Sequence, residues 1–286
     1  MPIEVRNLCH LYQAGTPFAS AALKDVSFSI ADGEFVGLIG HTGSGKSTLI
    51  QHLNALLKPT SGEITIDGLR LSDKGVSLKE IRKRVGLVFQ YPEYQLFEET
   101  VLRDVMFGPK NLGCSQEECR ERAVEALKLV RMPEELFARS PFELSGGQKR
   151  RAAVAGVLAM RPHILILDEP AAGLDPRGRE EILSLVQEIH SRGVTTIMVS
   201  HSMDDVARMC SRLLVMNQGQ LAMDGTPREV FARSGELENM GLGVPECAKL
   251  ADRLRARGYD IPMGVFEAEE MARCILAARK GGGAHA

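Results

Sequence analysis

Residues 40 to 48, Gly40-His41-Thr42-Gly43-Ser44-Gly45-Lys46-Ser47-Thr48, constrain this chain more than any other stretch. The apolar run Glu34-Phe35-Val36-Gly37-Leu38-Ile39 before them reads as a buried strand, and Leu49 to Leu57 after them has helical character. Strand, glycine-rich turn, Lys-Ser and helix form the setting of a G-x-x-x-x-G-K-[ST] phosphate loop. Glycines let backbone N–H groups turn inward around a polyphosphate, and the helix N-terminus adds the positive end of its dipole. Lys46 can reach the β- and γ-phosphates, and the Ser47 hydroxyl can ligate Mg²⁺. At an effective dielectric near 20, one such charge contact at 4 Å is worth roughly 4 kcal/mol before desolvation. The loop therefore implies a nucleoside triphosphate.

The chain of 286 residues has room for one large domain, or one with an appendage. Its 44% hydrophobic and 25% charged content is ordinary for a globular chain. A formal net charge of -2 gives no electrostatic case for nucleic acid. No apolar run approaches the length of a membrane span. Met1-Pro2-Ile3-Glu4-Val5-Arg6 lacks the basic and apolar regions of a signal peptide. Six cysteines (Cys9, Cys114, Cys119, Cys210, Cys247, Cys274) show no C-x-x-C spacing and read as reduced thiols rather than metal ligands.

Residues 3 to 12 and 24 to 30 read as strands, joined by a loop that begins near His10. Tyr12 is placed to stack on a base or to serve as a packing tyrosine; the residues alone leave both open. Thr60 to Gly68 gives a turn and a strand, and Val85 to Gln90 a short apolar strand ending in an amide. Pro92 excludes a central strand for Tyr91-Pro92-Glu93-Tyr94-Gln95-Leu96-Phe97. Ser115-Gln116-Glu117-Glu118 reads as a capping box opening a helix to about Arg131, so residues 91 to 160 form a largely helical insertion. Ser145-Gly146-Gly147-Gln148 starts a second helix with exposed backbone donors, suited to anionic oxygen.

Ile164-Leu165-Ile166-Leu167 runs into two carboxylates, Asp168 and Glu169. At a strand end beside the phosphate loop, Asp168 suits Mg²⁺ and Glu169 suits orienting or deprotonating a water. Thr195 to Ser200 is another buried strand, ending at His201, within reach of a γ-phosphate. Arg212 to Met216 and Gln220 to Met223 complete the sheet, and Thr226-Pro227-Arg228-Glu229 is a further capping box. From about 235 the character changes: residues 245 to 257 and 267 to 279 are short amphipathic helices, and residues 281 to 286 read as a disordered tail.

The phosphate loop, Leu144-Ser145-Gly146-Gly147-Gln148, Ile164 to Glu169, the Gly173-Leu174-Asp175 turn and His201 stand in the order and spacing of the ATP-binding-cassette ATPases, which residues 3 to 233 resemble. The resemblance is greatest to the ATPases of energy-coupling factor importers, through Gln90-Tyr91-Pro92-Glu93-Tyr94-Gln95-Leu96-Phe97. Gly40-His41-Thr42-Gly43 and Ala155 to Met160 look more like their second, A-prime paralogue. Ala171 departs from the family's common threonine. The resemblance implies an α/β fold: a RecA-like core with an antiparallel β subdomain and the helical subdomain at about 91 to 160. Together these make a nucleotide-binding domain over 1 to 234, followed by a C-terminal helical extension over 235 to 286.

It also implies two ATP molecules buried between head-to-tail ATPases, each phosphate loop facing the partner's Ser145-type helix. By resemblance, Tyr12 lines the adenine, and Gly40, His41, Thr42, Gly43, Ser44, Gly45, Lys46, Ser47 and Thr48 hold the phosphates. Ser145, Gly146, Gly147 and Gln148 close the site in trans. Ser47, Gln90 and Asp168 meet Mg²⁺, Glu169 is the catalytic base, His201 contacts the γ-phosphate and Asp175 communicates across the pair. Expected partners are a paralogous ATPase (or a second copy), a transmembrane scaffold receiving its coupling helices at 91 to 97, and a substrate-binding membrane subunit. The chain would then work at the cytoplasmic face of the cell membrane, coupling ATP hydrolysis to uptake of a vitamin or other micronutrient. The alternatives are the homodimeric ATPase of a cobalt or nickel importer of the same type and a non-transport cassette ATPase.

Overall fold

The computed structural model describes residues 2–73 and 75–281, so all of the expected tail but Gly281 lies outside the described residues. β1 (Ile3–Tyr12) pairs antiparallel with β2 (Ser20–Ile30), from Ile3 opposite Ile30 to Tyr12 opposite Ser20. β1 has the expected bounds, whereas β2 begins four residues before Lys24, because Leu11 and Tyr12 pair with Ala21 and Ser20. The loop expected from near His10 therefore starts only after Tyr12. β3 (Phe35–Ile39) leads through the glycine-rich turn into α1 (Lys46–Leu53). Helical character stops four residues short of Leu57, at the cap residue Asn54, and Ala55 turns into a left-handed conformation with φ 54°. β4 (Ser61–Ile66), β5 (Leu69–Arg70), α2 (Leu78–Arg84) and β6 (Val85–Val88) follow.

Three-residue-per-turn segments at Pro92–Gln95, Glu134–Leu136 and Pro141–Glu143 punctuate the next stretch, with α3 (Val101–Leu112), α4 (Gln116–Leu129) and α5 (Gly146–Leu158) between and after them. Ser115 caps α4 by accepting from the Glu118 amide, but the expected return arm of the box is replaced by an ion pair of Glu118 with Arg122, one turn on. At α5 both arms are present: Ser145 Oγ accepts from Gln148 N at 3.3 Å and Gln148 Oε1 from Ser145 N at 2.9 Å.

β7 (Ile164–Asp168), α6 (Pro176–Ser191), β8 (Thr195–Val199), α7 (Met203–Met209), β9 (Arg212–Asn217) and β10 (Gln220–Gly225) return the chain to the sheet. α8 (Pro227–Phe231), α9 (Ser234–Asn239), α10 (Glu246–Ala256) and α11 (Ala268–Gly281) end it.

Two sheets result. The smaller is antiparallel, in the order β2-β1-β4-β5; the larger has the order β10-β9-β3-β8-β7-β6, parallel except for the β9–β10 hairpin. A parallel sheet is covered on both faces, which is why β3, β7 and β8 are nearly unbroken apolar runs. Alternate residues serve opposite cores. Val36, Leu38, Ile164, Ile166, Ile197 and Val199 pack towards the small sheet and α1, whereas Phe35, Ile39, Leu165, Leu167 and Met198 pack towards the helices. Register puts Val88 beside Leu167, Asp168 beside Val199 and Leu38 beside Val199, so β6, β7, β8 and β3 all end at one sheet edge. Ligands of open parallel sheets bind at that edge.

Beyond the sheet, Leu237, Leu242 and Val244 still belong to the helix-side core. Only past them does a separate small cluster begin, formed by Ala251, Ile261, Val265 and Met271. The Glu246 amide donates to Asp204 Oδ1 at 3.2 Å, fastening the start of α10 to α7. No helix among the described residues is long and apolar enough to cross a membrane.

Candidate nucleotide site

The loop between β3 and α1 needs glycine at two positions for steric reasons. At Gly40 (φ +156°) a Cβ would stand 2.4 Å from the Met216 carbonyl oxygen and 2.5 Å from Ser44 Oγ. At Gly45 (φ +105°) it would stand 2.7 Å from the Ala22 carbonyl oxygen. Gly45 is also the N-cap of α1, and no side chain caps that helix, so its first N–H donors are left for a ligand. Lys46 is buried and donates through Nζ to the carbonyls of Gly40 (2.6 Å) and His41 (3.1 Å). Burial lowers the Lys46 pKa, and the charges of Glu169 and Asp168 partly offset this.

Ser44 Oγ is fully buried with no hydrogen-bond partner, while Thr42, Gly43 and Ser47 are exposed. An orphaned buried hydroxyl and a cation satisfied only by carbonyls are features of a site made for another occupant. His41 pins the loop: its ring nitrogens lie 2.7 Å from the Thr42 carbonyl and 3.2 Å from Asn217 Oδ1. The Tyr12 hydroxyl lies 3.2 Å from Thr48 Oγ1, and its half-exposed ring meets His10 edge-on at 4.6 Å. That fixes the tyrosine beside the helix start with part of its ring free.

Asp168 ends β7, and Glu169 follows with φ 52°, a left-handed conformation rare for a side chain of this size. Its amide donates to the Val199 carbonyl (3.0 Å) and its carbonyl accepts from Ala172 N (3.1 Å), so the strained turn is held at both ends. Glu169 Oε1 is buried without a hydrogen-bond partner, with His201 Nε2 3.5 Å away. Burial, then the neighbouring Asp168 charge, pushes the Glu169 pKa up to about 7, against the opposing pull of Lys46. Burial also raises Asp168, with Lys46 opposing. Burial and then Lys46 lower His201, which favours a neutral ring. β8 itself stops at Val199, so His201 stands on the following turn. Arg179 of α6 braces that turn, donating to Ser202 Oγ at 2.8 Å and pairing with Asp205 at 2.7 Å.

The fold therefore gathers Lys46, Asp168, Glu169 and His201 at the sheet edge, with Tyr12 joined to the same loop through Thr48. Gln90 is exposed two residues past β6 at that edge. Asp175 is the N-cap of α6, accepting from Gly178 N at 2.7 Å. Ser145 and Gly146 are exposed, and a Cβ on Gly146 or Gly147 would meet nothing within 4 Å. Among the described residues no hydrogen bond or ion pair joins Ser145, Gly146, Gly147 or Gln148 to the phosphate loop, Asp168, Glu169 or His201. No cluster of three or more His, Cys, Asp or Glu side chains among the described residues is arranged for a metal, and Cys114 and Cys119 are free thiols like the other four.

Sequence reasoning passed over Arg150, which lies 2% exposed within α5. The available signal was a cation on the face it shares, at i+4, with Val154 of an otherwise apolar stripe.

Comparison with known proteins identifies the family. The family model described as ABC transporter matches residues 23–172. The chain is 59% identical over 282 residues, 98% of its length and 99% of the relative's, to the energy-coupling factor transporter ATP-binding protein EcfA2 of Caldanaerobacter subterraneus subsp. tengcongensis. Against the EcfA2 of Streptococcus thermophilus it is 48% identical over 278 residues, covering 96% and 99%. Among solved structures, cbiO1 from Clostridium perfringens, part of the ABC transporter complex cbiONQ, superposes with a TM-score of 0.72 at 40% identity, over 83% of this chain and 93% of that one. A dimeric ATP-binding cassette in a post-hydrolysis state with ADP and Pi gives 0.70 at 32% identity, over 79% and 99%. The chain belongs to the ABC-transporter ATPases, and within them to the EcfA2 family of energy-coupling factor transporter ATP-binding proteins.

Proposed function

We propose that the chain is an ATP-hydrolysing subunit of an energy-coupling factor importer, driving uptake of a vitamin or other micronutrient through membrane partners. The observation that carries this reading is the convergence of Lys46, Asp168, Glu169 and His201 on one phosphate loop, with Glu169 Oε1 and Ser44 Oγ buried and unpartnered. When ATP binds, its phosphate oxygens replace the Gly40 and His41 carbonyls as partners of Lys46, and the free N–H groups of α1 face the same oxygens. Tyr12 offers its free ring surface to the adenine. Ser47, Gln90 and Asp168 would hold Mg²⁺, an oxygen-seeking ion that matches an exposed hydroxyl, an amide and a carboxylate. Bound there, it would neutralise charge on the phosphates. Glu169 takes a proton from the attacking water, for which a pKa near 7 is well matched to neutral pH. His201, kept neutral, contacts the γ-phosphate.

The exposed, open end of α5 is the other half of the composite site: Ser145, Gly146, Gly147 and Gln148 close over the ATP of a partner ATPase. A paralogous chain is the expected partner, at the cytoplasmic face of the membrane. Phe97 (57% exposed) lines a groove of about 730 Å³ with Leu87, Phe89 and Phe107, and Tyr94 (85% exposed) stands three residues before it in the same segment. An exposed aromatic patch of this kind suits a coupling helix of the scaffold. The likeness to cbiO1, a part of the ABC transporter complex cbiONQ, keeps as a second reading the homodimeric ATPase of a cobalt or nickel importer of the same type.

Purifying the complex through a tag on this chain tests both readings. Co-purification of a paralogous ATPase and two kinds of membrane subunit, with MgATP hydrolysis, is expected. A complex holding only copies of this chain beside the scaffold favours the second reading, and recovery with no membrane subunit contradicts both.

A further inference from the structure

The catalytic arrangement makes no direct use of Arg150, yet few side chains here are so completely engaged. Its Nε and Nη2 grip both carboxylate oxygens of Glu93, at 3.0 and 2.8 Å. Its Nη1 donates to the carbonyls of Ala172 (2.6 Å) and Pro170 (3.3 Å). The Tyr91 ring covers the guanidinium at 5.8 Å, and its Cε1 lies 3.2 Å from where a Gly173 Cβ would stand. Tyr91 has φ 54°, so the turn is held in a left-handed conformation where it meets Arg150. Three segments meet on one guanidinium: the 91–95 turn, the helix that Ser145 caps, and the 170–173 turn that follows Glu169.

The turn beyond Arg150 is closed by Ala172 N donating to the Glu169 carbonyl, and Arg150 holds the carbonyl of the same Ala172. Displacing Glu93 or Tyr91 therefore releases a restraint one peptide from the turn that keeps Glu169 in its left-handed conformation. On the opposite side, Tyr94 stands exposed on the turn that carries Glu93, its amide bonded to the Tyr91 carbonyl. A planar, five-donor fork can satisfy a carboxylate and two carbonyls together; a lysine ammonium cannot.

We infer that Arg150 is a positioning residue that carries the seating of the 91–95 turn to the Pro170–Gly173 turn, and through it to Glu169 and the open end of α5. This rests on the proposed role of Glu169 in ATP hydrolysis. The device is a rigid three-way tie: a partner pressing on the 91–97 surface changes the angle at which Glu169 and the Ser145 helix present themselves, without touching nucleotide.

The test uses the complex co-purified with this chain, carrying Arg150→Lys, Glu93→Gln or both. For Arg150→Lys we expect a kcat about 100-fold lower, the scale of an ångström misplacement at the chemistry, and a KM for MgATP within about threefold of wild type. Adding Glu93→Gln to it gives little further loss, because both act through one contact. Unchanged kcat with only a lower melting temperature, a raised KM at constant kcat, or losses that multiply in the double variant each overturn the inference. Amide exchange without nucleotide gives a readout independent of turnover. Glu93→Gln, although on the 91–95 turn, should speed exchange at Ala172 by about tenfold, and exchange at wild-type rate overturns the tie. A wild-type complex that does not hydrolyse MgATP refutes the proposed function instead, and amide exchange then decides the tie alone.

Discussion

Replacing Glu169 by Gln should stabilise the empty protein at pH 8 while removing most of its turnover. The carboxylate is buried beside Asp168, which raises its pKa from 4.5 to about 7. Held in full, that difference amounts to about 3 kcal/mol against the folded state. The side chain keeps 14% exposure and water reaches it, so about half, roughly 1.5 kcal/mol, is the expected gain. The sign follows from proton binding. Between pH 4.5 and about 7 the folded protein holds more protons than the unfolded chain, so wild-type stability from this group is complete below 4.5 and is lost as pH rises through 7. Glutamine mimics the protonated acid, so the variant matches wild type near pH 4, gains between 4.5 and 7 and keeps a constant lead above.

Thermal melts of nucleotide-free protein at pH 4.5, 6, 7 and 8 read this directly, the lead at pH 8 being about 3–6 °C for a chain of this size. Hydrolysis by the variant should fall about 100-fold or more, and wild-type kcat/KM should rise with pH through about 7, since the free enzyme's base must be ionised. A variant less stable than wild type at pH 8, or as fast in turnover, refutes the reasoning.

Lys46→Ala removes the buried ammonium at the phosphate loop, and ATP affinity measured by calorimetry should drop about 100-fold or more; unchanged affinity contradicts the loop's assignment. Tyr12→Ala should weaken ATP binding by about 5- to 150-fold, the range of one lost base–aromatic stack, and an unaltered Kd would leave Tyr12 as a packing residue. Truncation after Val244 should weaken pairing with the partner ATPase while leaving the fold intact, by ultracentrifugation and circular dichroism. The cut must fall there, because starting at 235 would also remove Leu237, Leu242 and Val244 from the core and destabilise the body by several kcal/mol.

The fold was legible wherever burial and periodicity speak together. The β3, β7 and β8 runs are nearly unbroken apolar stretches because both faces of the parallel sheet are covered, and the Lys46 loop is set by glycines at 40 and 45 where a Cβ would clash. Cap residues Ser145 and Thr226 fell where their side chains predict. Less legible were features that depend on two distant segments meeting. The pairing of Tyr12 with Ser20 starts β2 four residues ahead of the 24 to 30 strand that local composition gives. Glu118 chose Arg122 over its own helix start, a competition between two partners of similar worth. The left-handed backbone of Glu169 comes from the bond between its amide and Val199, and the Arg150 tie from three segments separated by up to 82 positions of chain, from Tyr91 to Gly173. Local pattern carries no record of either.

The central claim is that this phosphate loop is half a site, completed by the Ser145 helix of another ATPase subunit. Specific MgATP hydrolysis measured across a dilution series of the purified ATPase pair tests it most directly. The account predicts that activity per molecule falls as the subunits separate and returns when the partner is added back, but not when the added partner carries a bulky substitution at its own Ser145-equivalent position. Hydrolysis that stays constant on dilution to separated subunits would contradict it.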